Sequence, residues 1–348
     1  MGGVGGGRCA WERRRLPVQG RSGLLRRVPS AVIVGHFAIK RYSDFVKVIH
    51  KSTPSFGSAE AVRLPAGHPL TYHRGAMPSL QINGARFYYE EHGEGPAVVF
   101  AHGAGGNHLS WWQQVPVFLR KYRCVTFDHR GWGLSLDGQD AGPAAFVQDL
   151  RALLDHLGIE RTALIAQSMG GLTCLGFTIA YPQRVSALIM SNTFAGMRRE
   201  VWLAADEELR AEARAVWDRR RRDGVKRALA PGFARSDREK AFLYKQIRLL
   251  NEEGPNQLQT EERVLRLRAL ERDPEVAPGR EALAAIAAPV LFIGGEHDEV
   301  MPPSLMEVAC GLIPGARMVV VPGAGHSVYF ERPETFNRIA LEFLAHAR

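Results

Sequence analysis

No run of apolar residues in this 348-residue sequence approaches the roughly 20 residues that a membrane-spanning helix requires. Cysteine is scarce as well, since the chain has only four cysteines (Cys9, Cys124, Cys174 and Cys310), and these match no metal or redox spacing. A disulfide-rich scaffold and a zinc module are therefore not expected. The pattern predicts a protein of a reducing compartment, the cytoplasm, with no membrane span, no metal and no cofactor.

Most of the chain also lacks an excess of charge of either sign. The whole sequence has 45 Lys and Arg against 36 Asp and Glu, a net charge of +9. Residues 1–76 contain 13 of the basic and 3 of the acidic residues, so that the remaining 32 basic and 33 acidic residues nearly balance. The basic excess therefore belongs to an N-terminal segment, and it does not indicate a nucleic-acid partner for the folded part.

The first 76 residues show no sustained periodicity and are rich in Arg, Gly and Pro. We expect a basic, disordered extension, and the change of texture at Met77 favours that residue as the true start. A transit peptide is the alternative, because the segment is rich in Arg and poor in acidic residues, and it would imply an organellar location.

From Met77 onward, buried strands alternate with helices. LQINGARFYYEE predicts a hairpin around Asn83-Gly84. Six further strands are predicted in the stretches AVVFAHG, RCVTFDHRG, TALIAQ, VSALIMSN, PVLFIGG and ARMVVVPG. Helical periodicity follows several of them, for example in AAFVQDLRALLDHLGI. This alternation predicts a doubly wound α/β fold around a mostly parallel sheet of eight strands, with a core from 77–194 and 287–348.

Residues 195–286 interrupt that alternation, because they have helical spacing and no strand signal. A segment of this length is too long for a loop, so we predict an inserted helical cap over the site. Its RRRR run at 219–222 is surrounded by acidic residues, which favours a solvated helix face over an anion site.

The stretch AQSMGG places Ser168 where a buried strand ends and a helix begins. A serine on so sharp a turn has its hydroxyl lifted clear of the sheet, and small neighbours are needed because backbone approaches backbone there. Ala166 and Gly170 meet that requirement. The N–H of Met169 opens the helix and is placed to face a developing oxyanion.

Four further sequence motifs follow predicted strands. HGAGGNHLSWW, DHRGWGLS, GGEHDEVMPP and GAGHSVYFERPETFN each follow a predicted strand. With the serine turn, they make the chain from Met77 on resemble the α/β-hydrolase superfamily, in its group of capped serine esterases, enol-lactonases and cofactor-free perhydrolases. The resemblance covers about 270 residues, and Ala166 departs from the glycine usual at that position.

The chemistry of a serine nucleophile requires a base and a group that orients the base. His326 follows a strand and a Gly-rich loop, and Asp298 follows the preceding strand, so we predict a Ser168–His326–Asp298 triad. Glu296 and Glu299 are alternatives to Asp298. An acid after the strand that ends near Asn192 is not expected, because Asn192 and Thr193 are uncharged.

The resemblance also implies an oxyanion hole from the N–H groups of Ala104 and Met169. Substrate contacts are predicted at His102, Gly103, Trp111, Trp112 and Gln167, although His102 is as well explained as an organiser of its loop and the two tryptophans as core. His297 beside Asp298 has no second ligand cluster with metal spacing.

Three functions remain open from the sequence. The first is hydrolysis of a small carboxylic ester or lactone through an acyl-serine. The second is hydrolysis of a carbon–carbon bond in a vinylogous diketone by the same triad, and the third is a ligand receptor that retains the triad. The expected partner is a small molecule, and the sequence leaves homo-oligomerisation open.

Overall fold

The computed structural model describes residues 79–193, 196–223, 228–252, 267 and 277–347. The predicted extension 1–76 lies outside the described residues, and so do several parts of the predicted cap. In the described part of the chain, no helix is long and apolar enough to cross a membrane.

Nine strands form one sheet, eight of them in the order β1-β2-β4-β3-β6-β7-β8-β9, with the two-residue strand β5 paired to β2. β1, β2 and β4 pair antiparallel, whereas all pairs from β4 through β3 to β9 are parallel. The predicted α/β class is therefore confirmed, and only β5 was not foreseen. The strands are Ser79–Ile82, Ala85–His92, Ala97–Ala101, Arg123–Phe127, Leu136–Asp137, Thr162–Gln167, Val185–Ser191, Val290–Gly295 and Arg317–Val321 (β1–β9).

The hairpin between β1 and β2 turns at Asn83 and Gly84, whose φ angles are +46° and +72°. Two successive positive φ angles are the signature of the turn whose twist matches that of the flanking strands, and Asn-Gly is its preferred pair. The hairpin could therefore be predicted from the sequence alone.

The order of the strands reverses at β3. The chain goes from β3 to β4 on one side, then returns to β6 on the other side of β3. At such a switch point the loops after the two central strands diverge and leave a crevice at the carboxyl ends of the strands, where ligands bind in open α/β sheets. The loop after β3 begins at His102, and Ser168 directly follows β6.

Helices cover both faces of the sheet. One apolar cluster joins β3 and β6 to α2, α3 and α9, and the other joins the opposite face to α1, α10, α11 and parts of α6 and α7. Burial of each large side chain, such as Phe100 or Phe177, contributes about 1.5–3 kcal/mol. The helices are Val115–Phe118, Phe146–His156, Gly170–Ala180, Arg199–Leu203, Glu207–Asp223, Phe233–Ser236, Arg238–Glu252, Arg280–Ala284, Pro303–Leu312, Val328–Glu331 and Pro333–His346 (α1–α11).

Between β7 and β8, the residues that the structure describes contain the helices α4 to α8 and no strand. α5 reaches the loop after β8, because the indole N–H of Trp217 and the guanidinium of Arg220 donate to the carbonyls of Val300 and Glu299. α7 contacts the loop after β3, because the amide of Asn107 donates to the carbonyl of Ile247 and the amide of Asn251 donates to the carbonyl of Gly106.

Candidate active site

Ser168 lies on a strained turn between β6 and α3. Its φ is +48°, a left-handed value that a non-glycine residue rarely adopts. Its N–H donates to the carbonyl of Ser191 at 3.0 Å, which ties the turn to the neighbouring strand. A Cβ on Gly170 would lie 2.2 Å from the carbonyl oxygen of Ala101, so only glycine fits two residues after the serine. Such strain commonly marks a functional position.

The side chains of Ser168, His326 and Asp298 form one hydrogen-bonded chain. The Oγ of Ser168 lies 2.9 Å from Nε2 of His326. The Nδ1 of His326 lies 2.9 and 3.0 Å from the two carboxylate oxygens of Asp298. A carboxylate only accepts, so Nδ1 carries a proton, and neutral His326 presents the lone pair of Nε2 to the serine hydroxyl. This is the arrangement that general-base activation of a serine requires.

The carboxylate of Asp298 is buried and accepts from three further groups. The N–H groups of Val300 and Met301 donate to Oδ1, both at 2.8 Å, and the amide of Asn192 donates to Oδ2 at 2.9 Å. The alternative acid Glu296 instead accepts from the N–H of Gly323 at 2.9 Å and is half exposed. The geometry therefore favours Asp298 as the residue that orients His326.

The loop after β3 lies against the nucleophile. A Cβ on Gly103 would be 3.1 Å from Cβ of Ser168 and 2.0 Å from Oε1 of Gln167, so a larger residue would have to displace the side-chain amide of Gln167. Within the described residues, the backbone N–H groups of Ala104 and Met169 donate to no other protein atom. Two unused donors beside a nucleophile are suited to an oxyanion.

The peptide between Gly103 and Ala104 is held by His102. The Gly103 carbonyl accepts from Nδ1 of His102 at 2.8 Å and from the N–H of Gly106 at 2.9 Å. The Nε2 of His102 accepts from the backbone N–H of His129 at 3.0 Å, which fixes the tautomer. The C=O and N–H of a trans peptide point in opposite directions. The hydrogen bonds to the Gly103 carbonyl therefore also fix the direction of the N–H of Ala104.

The structure buries two of the side chains for which substrate contacts were predicted. Trp111 has no exposed surface, because its ring packs on Phe100 and Tyr329 in the core. His102 is equally buried and its ring nitrogens are engaged within the protein. Neither side chain has surface to offer to a substrate.

The other three residues with predicted substrate contacts are Gly103, Gln167 and Trp112. Gly103 lies beside Ser168, as described above. The amide of Gln167 donates to the carbonyl of His326 at 3.0 Å, so it supports the base and its contact with substrate stays a prediction. Trp112 is partly exposed and faces Phe330, and its role as a substrate wall also stays a prediction.

Glu331 is a residue of the site that sequence patterns did not single out. Its buried carboxylate accepts from the N–H groups of Gly325 and Ser327, on either side of His326, at 3.0 and 3.3 Å. Its other oxygen accepts from the N–H of Ala230, between β7 and β8, at 2.8 Å. Burial raises the pKa of this carboxyl although the three N–H groups and Arg332 oppose the change. Glu331 thus links the base loop to the segment inserted between β7 and β8.

The sheet order, the turn at Ser168 and the loops at the carboxyl ends of the strands define an α/β hydrolase. The family model described as the alpha/beta hydrolase fold matches residues 96–333. The chain belongs to this family.

Similar proteins match about three quarters of the chain. The chain is 30% identical over 267 residues to a Mycobacterium tuberculosis protein named as a non-heme bromoperoxidase, covering 74% of this chain and 97% of the relative. It is 30% identical over 277 residues to 3-oxoadipate enol-lactonase 1 of Acinetobacter baylyi, covering 79% and 96%. Among solved structures, a thermophilic esterase from Thermogutta terrifontis is similar with a TM-score of 0.59 and 26% identity, covering 76% of this chain and 94% of the esterase.

Proposed function

We propose that this protein is a serine hydrolase that cleaves a small carboxylic ester or lactone through an acyl-serine intermediate. The observation that carries the proposal is the chain from Ser168 through His326 to Asp298, with 2.9 Å between the hydroxyl and Nε2. An esterase and an enol-lactonase among the similar proteins support this bond type.

In the first half of the reaction, Oγ of Ser168 attacks the carbonyl carbon while Nε2 of His326 takes the hydroxyl proton. The carbonyl π electrons move to oxygen, and the resulting oxyanion accepts from the N–H groups of Ala104 and Met169. The intermediate collapses, the carbon–oxygen bond to the leaving group breaks, and the leaving oxygen takes the proton from His326. In a lactone the leaving oxygen stays attached to the acyl chain.

In the second half, a water molecule attacks the acyl carbon and gives its proton to Nε2 of His326. The second tetrahedral intermediate collapses, Ser168 recovers the proton, and the acid leaves. Throughout, the carboxylate of Asp298 holds the ring of His326 and stabilises its positive charge. No other group in this scheme needs to change its protonation state.

The proposal includes a helical cap over residues 195–286. The contacts of α5 with the loop after β8, and of Ala230 with Glu331, support it, because they tie the inserted segment to the acid and base loops. A cap in that position would exclude water and shape the substrate pocket.

The test is labelling with a fluorophosphonate probe together with turnover of a panel of esters, lactones and vinylogous diketones. We expect wild-type labelling, none in Ser168→Ala, and unchanged labelling in the control Ser79→Ala, whose serine is exposed at the start of β1. Turnover of diketones alone would favour the carbon–carbon hydrolase. Labelling without turnover of any class would favour a receptor, and labelling that survives Ser168→Ala would contradict the assigned nucleophile.

A further inference from the structure

One face of α7 lies along the two loops that flank Ser168. The hydroxyl of Tyr244 is 2.9 Å from Oγ of Ser327, the residue after His326. The carbonyl of Ile247 accepts from the amide of Asn107 at 2.7 Å, and the amide of Asn251 donates to the carbonyl of Gly106 at 2.9 Å. Residues 244, 247 and 251 share one helix face, because they are three and seven positions apart.

Arg248 belongs to the same face, between Ile247 and Asn251, which both contact the loop after β3. Its Cγ, Cδ and Nε lie 4.0, 3.8 and 3.5 Å from the position that a Cβ on Gly105 would take. Gly105 is the residue after Ala104, whose N–H is the proposed oxyanion donor. The positive charge of Arg248 also acts on the phenol of Tyr244: burial raises the pKa of that phenol, and Arg248 opposes the change. The guanidinium is therefore within electrostatic reach of the group beside His326.

Within the described part of the chain, the guanidinium of Arg248 is unpaired. It is only partly exposed, and among the described residues it makes no hydrogen bond and no ion pair. By contrast, the fully buried guanidinium of Arg130 is paired with Asp149 and Asp137. A guanidinium stays charged and presents its N–H donors in a planar fork that matches a carboxylate. Among the described residues, this guanidinium is thus an unpaired fork on the helix face that contacts the two loops beside Ser168, where a ligand could use it.

We propose that Arg248 binds a carboxylate group of the substrate, so that the substrate is an ester or lactone that carries a second, negatively charged end. This rests on the proposed function, because it adds a carboxylate to the acyl or the alcohol part of the substrate in the same reaction. The ester carbonyl would lie at Ser168 and the carboxylate under α7. The contrasting account is that the stem of Arg248 only covers Gly105 while its head group is solvated.

The experiment compares matched substrates in a pH-stat. Monomethyl esters of succinate, glutarate and adipate carry a free carboxylate at increasing distance, and the corresponding methyl ester amides are neutral and of equal size. We expect wild-type protein to prefer one acid ester over its amide. In Arg248→Gln the ratio of the two kcat/KM values should fall about 10-fold to 100-fold, as for loss of a charge-assisted hydrogen bond. Arg248→Lys should restore part of the ratio.

Lys245→Gln is the matched control, since it removes the same charge from an exposed position of α7 and should leave the ratio unchanged. A second measurement does not need turnover: glutarate or adipate should slow fluorophosphonate labelling of wild-type Ser168 and lose that effect in Arg248→Gln. An equal loss on acid and amide esters, or an unchanged ratio with unchanged protection, would overturn the role of Arg248 while leaving the serine hydrolase intact. Absence of labelling in wild-type protein would instead contradict the proposed function itself.

Discussion

The amide nitrogen of Asn192 donates a hydrogen bond of 2.9 Å to Oδ2 of Asp298 from the end of a neighbouring strand. The same nitrogen donates to the carbonyl of Gly325 at 3.1 Å, beside His326. Its orientation is fixed because Oγ of Ser191 donates to the amide oxygen of Asn192 at 2.9 Å. A neutral residue at the position after β7 thus holds both the loop of Asp298 and the loop of His326, which makes Asn192 a candidate positioning residue for the proposed triad.

Replacement of Asn192 by Asp should lower kcat by about 10-fold or more, because a buried donor to Asp298 is exchanged for a like charge. Asn83→Asp is a matched control: Asn83 has a similar left-handed backbone and its amide donates to Asp149 at 3.0 Å, far along the chain from the triad. Both variants should lose thermal stability, and only Asn192→Asp should lose kcat. Equal kcat values in the two variants would show that Asn192 has no role in positioning.

Removal of the triad side chains should abolish most of the activity. Ser168→Ala and His326→Ala should each lower kcat by about 10⁴-fold or more, and Asp298→Asn by about 10³–10⁴, because the three serve one proton transfer. Combining them should cost little more than the worst single change. Steady-state kinetics on a small ester would measure this, with circular dichroism to confirm folding. Full activity in Asp298→Asn together with a dead Glu296→Gln would move the acid to Glu296.

The two glycines of the loop after β3 should respond differently to a methyl group. Gly103→Ala should lower kcat by about 100-fold, because the new Cβ would lie 2.0 Å from Oε1 of Gln167 and displace the oxyanion peptide. Gly105→Ala meets only an ordinary contact of 3.5 Å with Arg248 and should stay within a few-fold on a neutral ester. Kinetics of both variants on the same substrate would test this, and a tolerant Gly103→Ala would argue against Ala104 as an oxyanion donor.

The stability contributed by His108 should depend on pH. Burial lowers the pKa of this imidazole, but the carboxylates of Asp128, 2.8 Å away, and Glu90 prevail and raise it. Since the folded protein binds the proton more tightly than the unfolded chain, the stabilisation is complete below the unfolded pKa of about 6.5 and is lost as the pH rises through the folded value. The difference in Tm between wild-type protein and His108→Gln should therefore shrink above about pH 6.5. A difference that grows with rising pH would contradict this.

The sequence by itself determined the features that depend on near neighbours. The Asn83-Gly84 turn, the buried strands and the small residues around Ser168 follow from local backbone rules and from apolar periodicity. The strand–helix alternation fixed the α/β class, since parallel strands require crossover helices. The order of the serine, acid and base loops along the chain could also be predicted, because each loop follows its own strand.

Tertiary structure alone decided which distant groups meet. Asp298 rather than Glu296 faces His326, because neighbouring side chains in an irregular loop point in directions that no periodicity specifies. Trp111 lies in the core, since apolar residues serve packing and ligand walls alike and sequence patterns do not separate the two. The roles of Glu331 and Arg248 depend on groups far away along the chain. The carboxylate of Glu331 accepts from an N–H group 101 residues away, and the guanidinium of Arg248 is unpaired among the described residues.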